Sequence, residues 1–274
     1  MSILLNIKSI FPNNVTILLT KRSDIANQIL DFNLGINDDR YKQSNFMHNR
    51  QYLQDLLFKE YGQLAKPNWL LQTHGNRILK LEACNTNYLD QFLYYKQLYH
   101  DNCYNYDASY TFEDNIICGI LTADCLPILI TNKTGDFVAS VHAGWRGILN
   151  GIIFDLIDTI LCKQYKIIAS EIMCYIGPSI CMQDFIIGQD VYQLFIKKYP
   201  DLKNNHNNYF LDSPTPYKYH CNLNAILFAQ LLNCGILNYN IFNSNICTYC
   251  SNDIFYSYRK EQITGRFASL IFKI

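Results

Sequence analysis

Residues 119–151 read "GILTADCLPILITNKTGDFVASVHAGWRGILNG", two apolar runs at 126–131 and 137–141 joined by "NKTGD". Short β-rich runs flanking a Gly-Asp turn signal are a hairpin signature. If they pair antiparallel, the loop centres near residue 134. Cys125 and His142 then emerge at the same end, roughly opposite each other, where cross-strand Cβ atoms lie about 5 Å apart. Whether both side chains share a face depends on the register, which the spacing leaves open. From Ile148 onward the period becomes helical, with Ile152, Ile153, Leu156, Ile157, Ile160 and Leu161 along one side. "HAGWRG" is therefore a strand-to-helix turn, with His142 on the turn and Arg146 in the first turn of the helix. The N–H groups of such a turn suit an anion.

The rest of the chain supplies more of both element types. Residues 1–20 read as two short strands around "FPNN". Residues 44–62 read as a helix with Leu53, Leu56, Leu57 and Tyr61 in period, Ser44 as N-cap and Gly62 as the stop. "PNWLLQTHGNRILKLE" reads as strand, turn, strand, and residues 116–121 as a further strand. "EIMCYIGPSIC" is a strand ending at a Gly-Pro turn. "DVYQLFIKKY" and "NLNAILFAQLLNCG" are helices, the second closed by Gly235. "NDIFYSYRKEQITGRFASLIFKI" reads as a hairpin turning near Gly265. Strands and helices mix without strict alternation, which predicts an α+β fold with mixed sheets. A chain of 274 residues, 49% hydrophobic, can form one domain or two. No repeat, linker or composition break divides it, so a single domain over residues 1–274 is expected.

Lys+Arg and Asp+Glu balance at 23 each. No basic surplus draws the chain to nucleic acid or an anionic membrane, and the expected partner is a small molecule. The apolar residues near the N-terminus are interrupted by Asn6, Lys8, Asn13 and Asn14, and no window suits a membrane span. The cysteines number eleven, odd and irregularly spaced. They read as reduced thiols, mostly buried, in a cytoplasmic protein. "CTYC" at 247–250 is a single CxxC without a second pair and is not read as a zinc site.

His74, in "QTHGN", joins Cys125 and His142 as a third group at a predicted strand end beside a glycine. Two imidazoles and one thiolate form a zinc ligand set with a fourth position open. The same residues also suit a metal-free Cys–His nucleophilic pair with a second histidine as acid. Residue types alone leave the two readings level. Thr122 and Asp124 read equally well as satisfying backbone donors at a strand end, and Arg146 as a solvated side chain.

"LTADCLPILI", "SVHAGWRGILNGI", "YIGPSICMQDFIIG" and "YSYRKEQITGRFASLI", preceded by "QTHGN", closely resemble the polyphenol-oxidase or laccase-domain family, better described as purine nucleoside phosphorylases. "FNLGINDD" and "HNR" extend the resemblance over nearly the whole chain. It implies a single-domain layered α+β fold and a metal site on His74, Cys125 and His142, which would also be the catalytic centre. Zinc is the implied metal; copper, carried by the older family name, needs further ligands that the motifs do not supply. The implied activities are phosphorolysis of adenosine, inosine, guanosine and methylthioadenosine, with deamination of adenosine. The expected partners are therefore purine nucleosides and phosphate, with Arg50, Arg146 and Arg259 as candidate phosphate or nucleoside contacts. Two positions depart from the family pattern. Ile186 stands where "YEVG" has its acid, and Asn222-Leu223 where Asp-Leu starts a helix; Asn caps as well as Asp. A copper phenol oxidase, an amidase editing a peptidoglycan precursor and a non-catalytic binding protein are the competing readings.

Overall fold

The computed structural model describes residues 3–7, 10–35, 43–62, 66–83 and 105–274. The five-stranded sheet runs, in spatial order, β1 (Leu4–Asn6), β2 (Val15–Thr20), β14 (Phe267–Lys273), β6 (Cys118–Thr122) and β3 (Asn68–Trp69). The six-stranded sheet runs β13 (Ile241–Asn243), β9 (Ile172–Ile176), β7 (Leu126–Asn132), β8 (Val138–Ala143), β5 (Ala108–Thr111) and β4 (Ile78–Lys80). A third, three-stranded sheet holds β10 (Ile186–Gly188), β12 (Lys218–Cys221) and β11 (Phe210–Asp212). The two larger sheets are mixed: β3 with β6, β4 with β5 and β13 with β9 pair in parallel within otherwise antiparallel ladders, while the three-stranded sheet is antiparallel.

The period of two sorts side chains into layers. Ile17 and Leu19 of β2 and Ile271 of β14 meet Leu129, Val138 and Tyr175 between the two larger sheets. Leu18, Leu270 and Phe272 point to the opposite face, against Leu53 and Leu57 of helix α1 (Gln43–Tyr61). Beyond the six-stranded sheet, Ile128, Ile130, Ala139 and Val141 pack on the helical segment after residue 151 and on Leu223, Ile226, Leu227 and Leu231. Helix, sheet, sheet and helices stack as an α+β sandwich, as expected. Gly62 (φ 77°) and Gly235 (φ 88°) end their helices in the left-handed region, where a Cβ is strained. The proposed Ser44 cap lies outside the described side chains. Among the described residues no helix is long and apolar enough to cross a membrane.

Three local features differ from the sequence reading or refine it. In the β7–β8 hairpin Leu126 faces Ala143 and Pro127 faces His142. Cys125, one step beyond the ladder, therefore stands across from Gly144 with His142 on the diagonal. The period of two puts both on the same face, toward the space between the sheets. The helix after "HAGW" is broken: α2 (Trp145–Asn150) stops at Gly151 (φ 93°), and α3 (Ile152–Phe154) restarts there. It then widens into π-helical turns over Asp155–Gln164, closed by Tyr165 N–H donating to the Ile160 carbonyl at 3.1 Å. The expected apolar residues nevertheless pack on the core, Ile160 only partly buried.

The C-terminal hairpin does not form. Phe255 and Tyr256 are both fully buried, which breaks the period of two. The Tyr256 hydroxyl is held by Asp31 and the Arg22 carbonyl. Ser257 then caps a one-turn helix, Tyr258–Glu261, by accepting the Lys260 N–H at 3.3 Å. β14 pairs with β2 and β6 instead of an adjacent strand. The other two helices form as expected: α4 (Gln189–Lys198) and α5 (Leu223–Asn233), the latter capped by Asn222, whose Oδ1 accepts Ala225 N–H at 3.1 Å.

Candidate metal centre

β3 and β4 belong to different sheets, so "QTHGN" is the crossing between them. Gln72 ties its start to β6, donating to the Leu121 carbonyl at 2.7 Å and accepting Leu121 N–H at 2.8 Å. His74 sits at the apex with φ 61°, a left-handed conformation that histidine adopts more often than most residues. The crossing hangs this exposed imidazole over the strand ends carrying half-buried Cys125 and buried His142. The ligand atoms of His74, Cys125 and His142 all lie within 4.8 Å of one another. The two rings meet edge to face at 4.8 Å between centroids. Gly144 makes room for this: a Cβ there would stand 2.8 Å from His74 Cδ2 and 3.4 Å from the Cys125 sulfur.

Asp107, at the edge of β5, organises the centre, and sequence reasoning missed it. Fully buried, its carboxylate accepts the backbone N–H groups of Thr73 (3.2 Å), His74 (2.9 Å) and Gly75 (2.6 Å). It also bonds His142 Nδ1 at 2.7 Å, and its carbonyl accepts His142 N–H at 2.7 Å. One carboxylate thus fixes both the His74 turn and the His142 ring. With Nδ1 occupied by Asp107, His142 presents Nε2 to the other ligands, the outer-sphere arrangement usual for metal-bound histidine. A lone Asp before the "ASYT" strand carries no spacing signal that marks it.

Burial alone would push the Cys125 thiol up. The charge of His142 and hydrogen bonds from His142 and His74 reverse this and bring it down to about 6. Burial likewise disfavours a charged His142, but the Cys125 charge and the Asp107 hydrogen bond raise it to about 9. Thiolate and imidazolium stabilise each other before any metal arrives. Two imidazoles and one thiolate, with one side of the cluster open at exposed His74, fit a zinc ion with a free coordination position. An N₂S set is also one copper accepts.

The candidate cations lie around this centre unequally. Arg146 is exposed on the first turn of α2, its guanidinium 4.1 Å from the Trp145 ring centre. Arg259 is linked to the Cys125 turn through Asp124, whose carboxylate accepts Arg259 N–H at 2.6 Å; its guanidinium donates to the carbonyls of Asp184 (3.3 Å) and Ile186 (3.1 Å). Ile186 meets Arg259 through its carbonyl, which any residue supplies. Arg50 is engaged with the Leu34 carbonyl at 2.9 Å and stacks near Phe46 and Trp69. Asp124 (φ 90°) is buried and also accepts Thr248 Oγ1 at 2.6 Å, so its donors come from distant segments and not from its own strand end. Thr122 Oγ1, which the strand-end reading gave a backbone donor, is buried with no hydrogen-bond partner among the described residues. The "CTYC" pair has company that the sequence does not reveal: Cys181 and Asp184 stand beside it.

Comparison with known proteins agrees with this architecture. A Haemophilus influenzae protein named purine nucleoside phosphorylase is 31% identical over 264 residues, 95% of this chain and 95% of its own length. A protein from an unknown prokaryotic organism, named adenosine deaminase RL5, is 33% identical over 159 residues, 58% of each chain. The crystal structure of Neisseria meningitidis protein NMB0706 superposes with a TM-score of 0.79 at 27% identity, covering 99% of both chains. Residues 17–273 match the family pattern described as multi-copper polyphenol oxidoreductase laccase. From β2 to the last residues of β14, then, the chain belongs to that family of laccase-like proteins, which it resembled on its motifs alone.

Proposed function

We propose that this chain is a zinc-dependent purine nucleoside phosphorylase that also deaminates adenosine, with His74, Cys125 and His142 as metal ligands at the catalytic centre. The observation that carries the reading is the convergence of these three groups within 4.8 Å, with Asp107 behind His142. The names of the Haemophilus influenzae relative and of the adenosine deaminase relative support the substrate class. Bound there, zinc would supply Lewis acidity.

The chain's own residues do the rest. Asp107 holds the Nδ1 proton of His142, so that Nε2 is the nitrogen turned toward Cys125 and the one that would bind the metal once its own proton is displaced. Arg146 and Arg259 are the cations that would hold phosphate near the Cys125 turn, with Arg50 of α1, stacked near Trp69 of β3, as a further candidate contact for phosphate or nucleoside. In phosphorolysis a phosphate oxygen bonds to ribose C1′ as the bond to purine N9 breaks, and the base leaves with that electron pair and gains a proton. In deamination a water oxygen replaces the amino group at purine C6 and ammonia leaves. Adenosine, inosine, guanosine and methylthioadenosine are the expected substrates.

Chromatography of protein incubated with inosine or adenosine, with and without phosphate and beside Cys125→Ala, tests this. Free base should appear only with phosphate, and kcat/KM should fall more than about a hundredfold in the variant, since removing a ligand exceeds removing its supporting partner. Adenosine converted to inosine without phosphate supports the deaminase activity alone. No nucleoside turnover under either condition would sink the purine reading, and phenol oxidation with copper or cleavage of a muramoyl amide would replace it.

A further inference from the structure

The loop after β9 and the loop after β13 are zipped together by their backbones. Ser179 N–H donates to the Ile246 carbonyl at 3.1 Å, and Thr248 N–H to the Ser179 carbonyl at 3.1 Å. This register brings Cys181 and Asp184 of one loop against Cys247 and Cys250 of the other. One carboxylate oxygen, Asp184 Oδ2, accepts from Cys181 Sγ at 3.1 Å, Cys250 Sγ at 3.3 Å and Cys247 Sγ at 3.4 Å. All four ligand atoms lie within 4.8 Å of one another. Three donors crowd a single acceptor, a poor arrangement for three thiols and a good one for a cation that replaces three protons.

We propose that Cys181, Asp184, Cys247 and Cys250 form a second, structural metal site that binds one zinc ion through three thiolates and a carboxylate. Cys247 and Cys250 have the CxxC spacing that zinc knuckles use, and thiolate-rich four-ligand sites are closed, structural ones. Binding releases three thiol protons to solvent and leaves the zinc with two negative charges in excess, since three thiolates and a carboxylate face a dication. The structure places compensating groups there. Lys260 Nζ donates to the carbonyl of Tyr249, between the two CxxC cysteines, at 3.1 Å, and Arg259 donates to the Asp184 carbonyl at 3.3 Å. Cys181 N–H points at Cys247 Sγ at 3.3 Å, an outer-sphere donor of the kind that stabilises a metal thiolate. The site also has a role: Thr248, inside the CxxC loop, holds Asp124, the residue before Cys125. Zinc here braces the turn that presents Cys125.

The test uses the full-length reduced protein carrying Cys125→Ala, so that the first centre contributes no thiolate. Titration with cobalt(II) alone should give a sulfur-to-metal charge-transfer band saturating at one metal per chain and abolished by zinc. Adding Cys250→Ser, at an exposed position that folding tolerates, should cut the band by about one third and weaken binding at least tenfold; Asp184→Asn should weaken binding with the band shape retained. A melting temperature raised by zinc in Cys125→Ala but not in the double variant completes the case. No charge-transfer band in reduced Cys125→Ala, or one that Cys250→Ser leaves unchanged, overturns the proposal.

Discussion

In the first cluster one thiol meets two imidazoles; in the second, three thiols meet one carboxylate. Burial acts in the same direction on both, pushing thiols up, yet the outcomes are opposite. At Cys125 the imidazoles overcome burial and bring the thiol to about 6. Burial and the Asp184 hydrogen bond push Cys181 up to about 12, and hydrogen bonds to Asp184 and Cys247 push Cys250 to about 11. Cys250 is exposed and Cys125 only half so, so exposure does not rank these thiols; the sign of the neighbouring charge does. The first centre is charged and open without any metal, as the proposed chemistry requires. The second would give up its protons only to the cation proposed for it.

Alkylation of the chelator-treated protein gives the largest contrast. The thiolate reacts, so Cys125 labelling should rise with pH through about 6 and level off, while Cys250 labelling should still be climbing at about pH 10. At neutral pH the thiolate fractions differ by about 10⁴, and the greater intrinsic nucleophilicity of the more basic thiolate returns about 10² of that. Cys125 should therefore label about a hundredfold faster than Cys250, as read by peptide mass spectrometry. Equal rates would mean that the imidazoles do not govern Cys125 in solution.

Asp107→Asn probes the support of the first centre with a smaller effect. An amide keeps one acceptor oxygen, so either Gly75 N–H or His142 Nδ1–H must face an NH₂ group. In the first case the His74 turn loses its anchor and in the second the His142 ring loses the bond that fixes its tautomer, and either way zinc affinity at this centre should drop about ten- to a hundredfold. Because the Asp107 side chain bonds Thr73, His74, Gly75 and His142, all at the first centre, zinc retained by Cys250 and its partners should be unchanged. Metal analysis of Asp107→Asn beside Cys250→Ser separates the two: losses that track each other would show one shared site.

The two clusters were not equally legible in the sequence. His74, Cys125 and His142 each sit beside a turn signal at the end of a β-rich run, and the hairpin turn "NKTGD" folds seventeen residues of separation into contact. Local rules suffice for that much. Asp107 gave no such sign, because its role comes from the crossing of "QTHGN" between two sheets, which no local pattern specifies. Cys181 lies 66 residues from Cys247, and their meeting depends on β13 pairing in parallel with β9. The CxxC therefore looked half-complete. The missing C-terminal hairpin has the same origin: "FYSY" has strand-forming residues, but the buried Tyr256 hydroxyl and the Ser257 cap turn the chain into a helix.

Gly144→Ala is the mildest perturbation and isolates geometry from stability. Gly144 has φ −71° and ψ 162°, a conformation any residue adopts, so alanine introduces no backbone strain. Its methyl carbon would, however, stand 2.8 Å from His74 Cδ2, closer than carbon atoms approach, and His74 is exposed enough to swing aside. Cys125, at 3.4 Å, needs to move little. The expected result is a several-fold loss of zinc affinity and of turnover at the first centre, about tenfold at most, with a melting temperature within about 2 °C of the parent, which at this chain length corresponds to about 1 kcal/mol or less. Alkylation of Cys125 in the metal-free variant should then shift its midpoint up from about 6, since the His74 hydrogen bond is one of those that lower it. An unshifted midpoint would assign the depressed thiol to His142 alone and make His74 a ligand that matters only once the metal is in place.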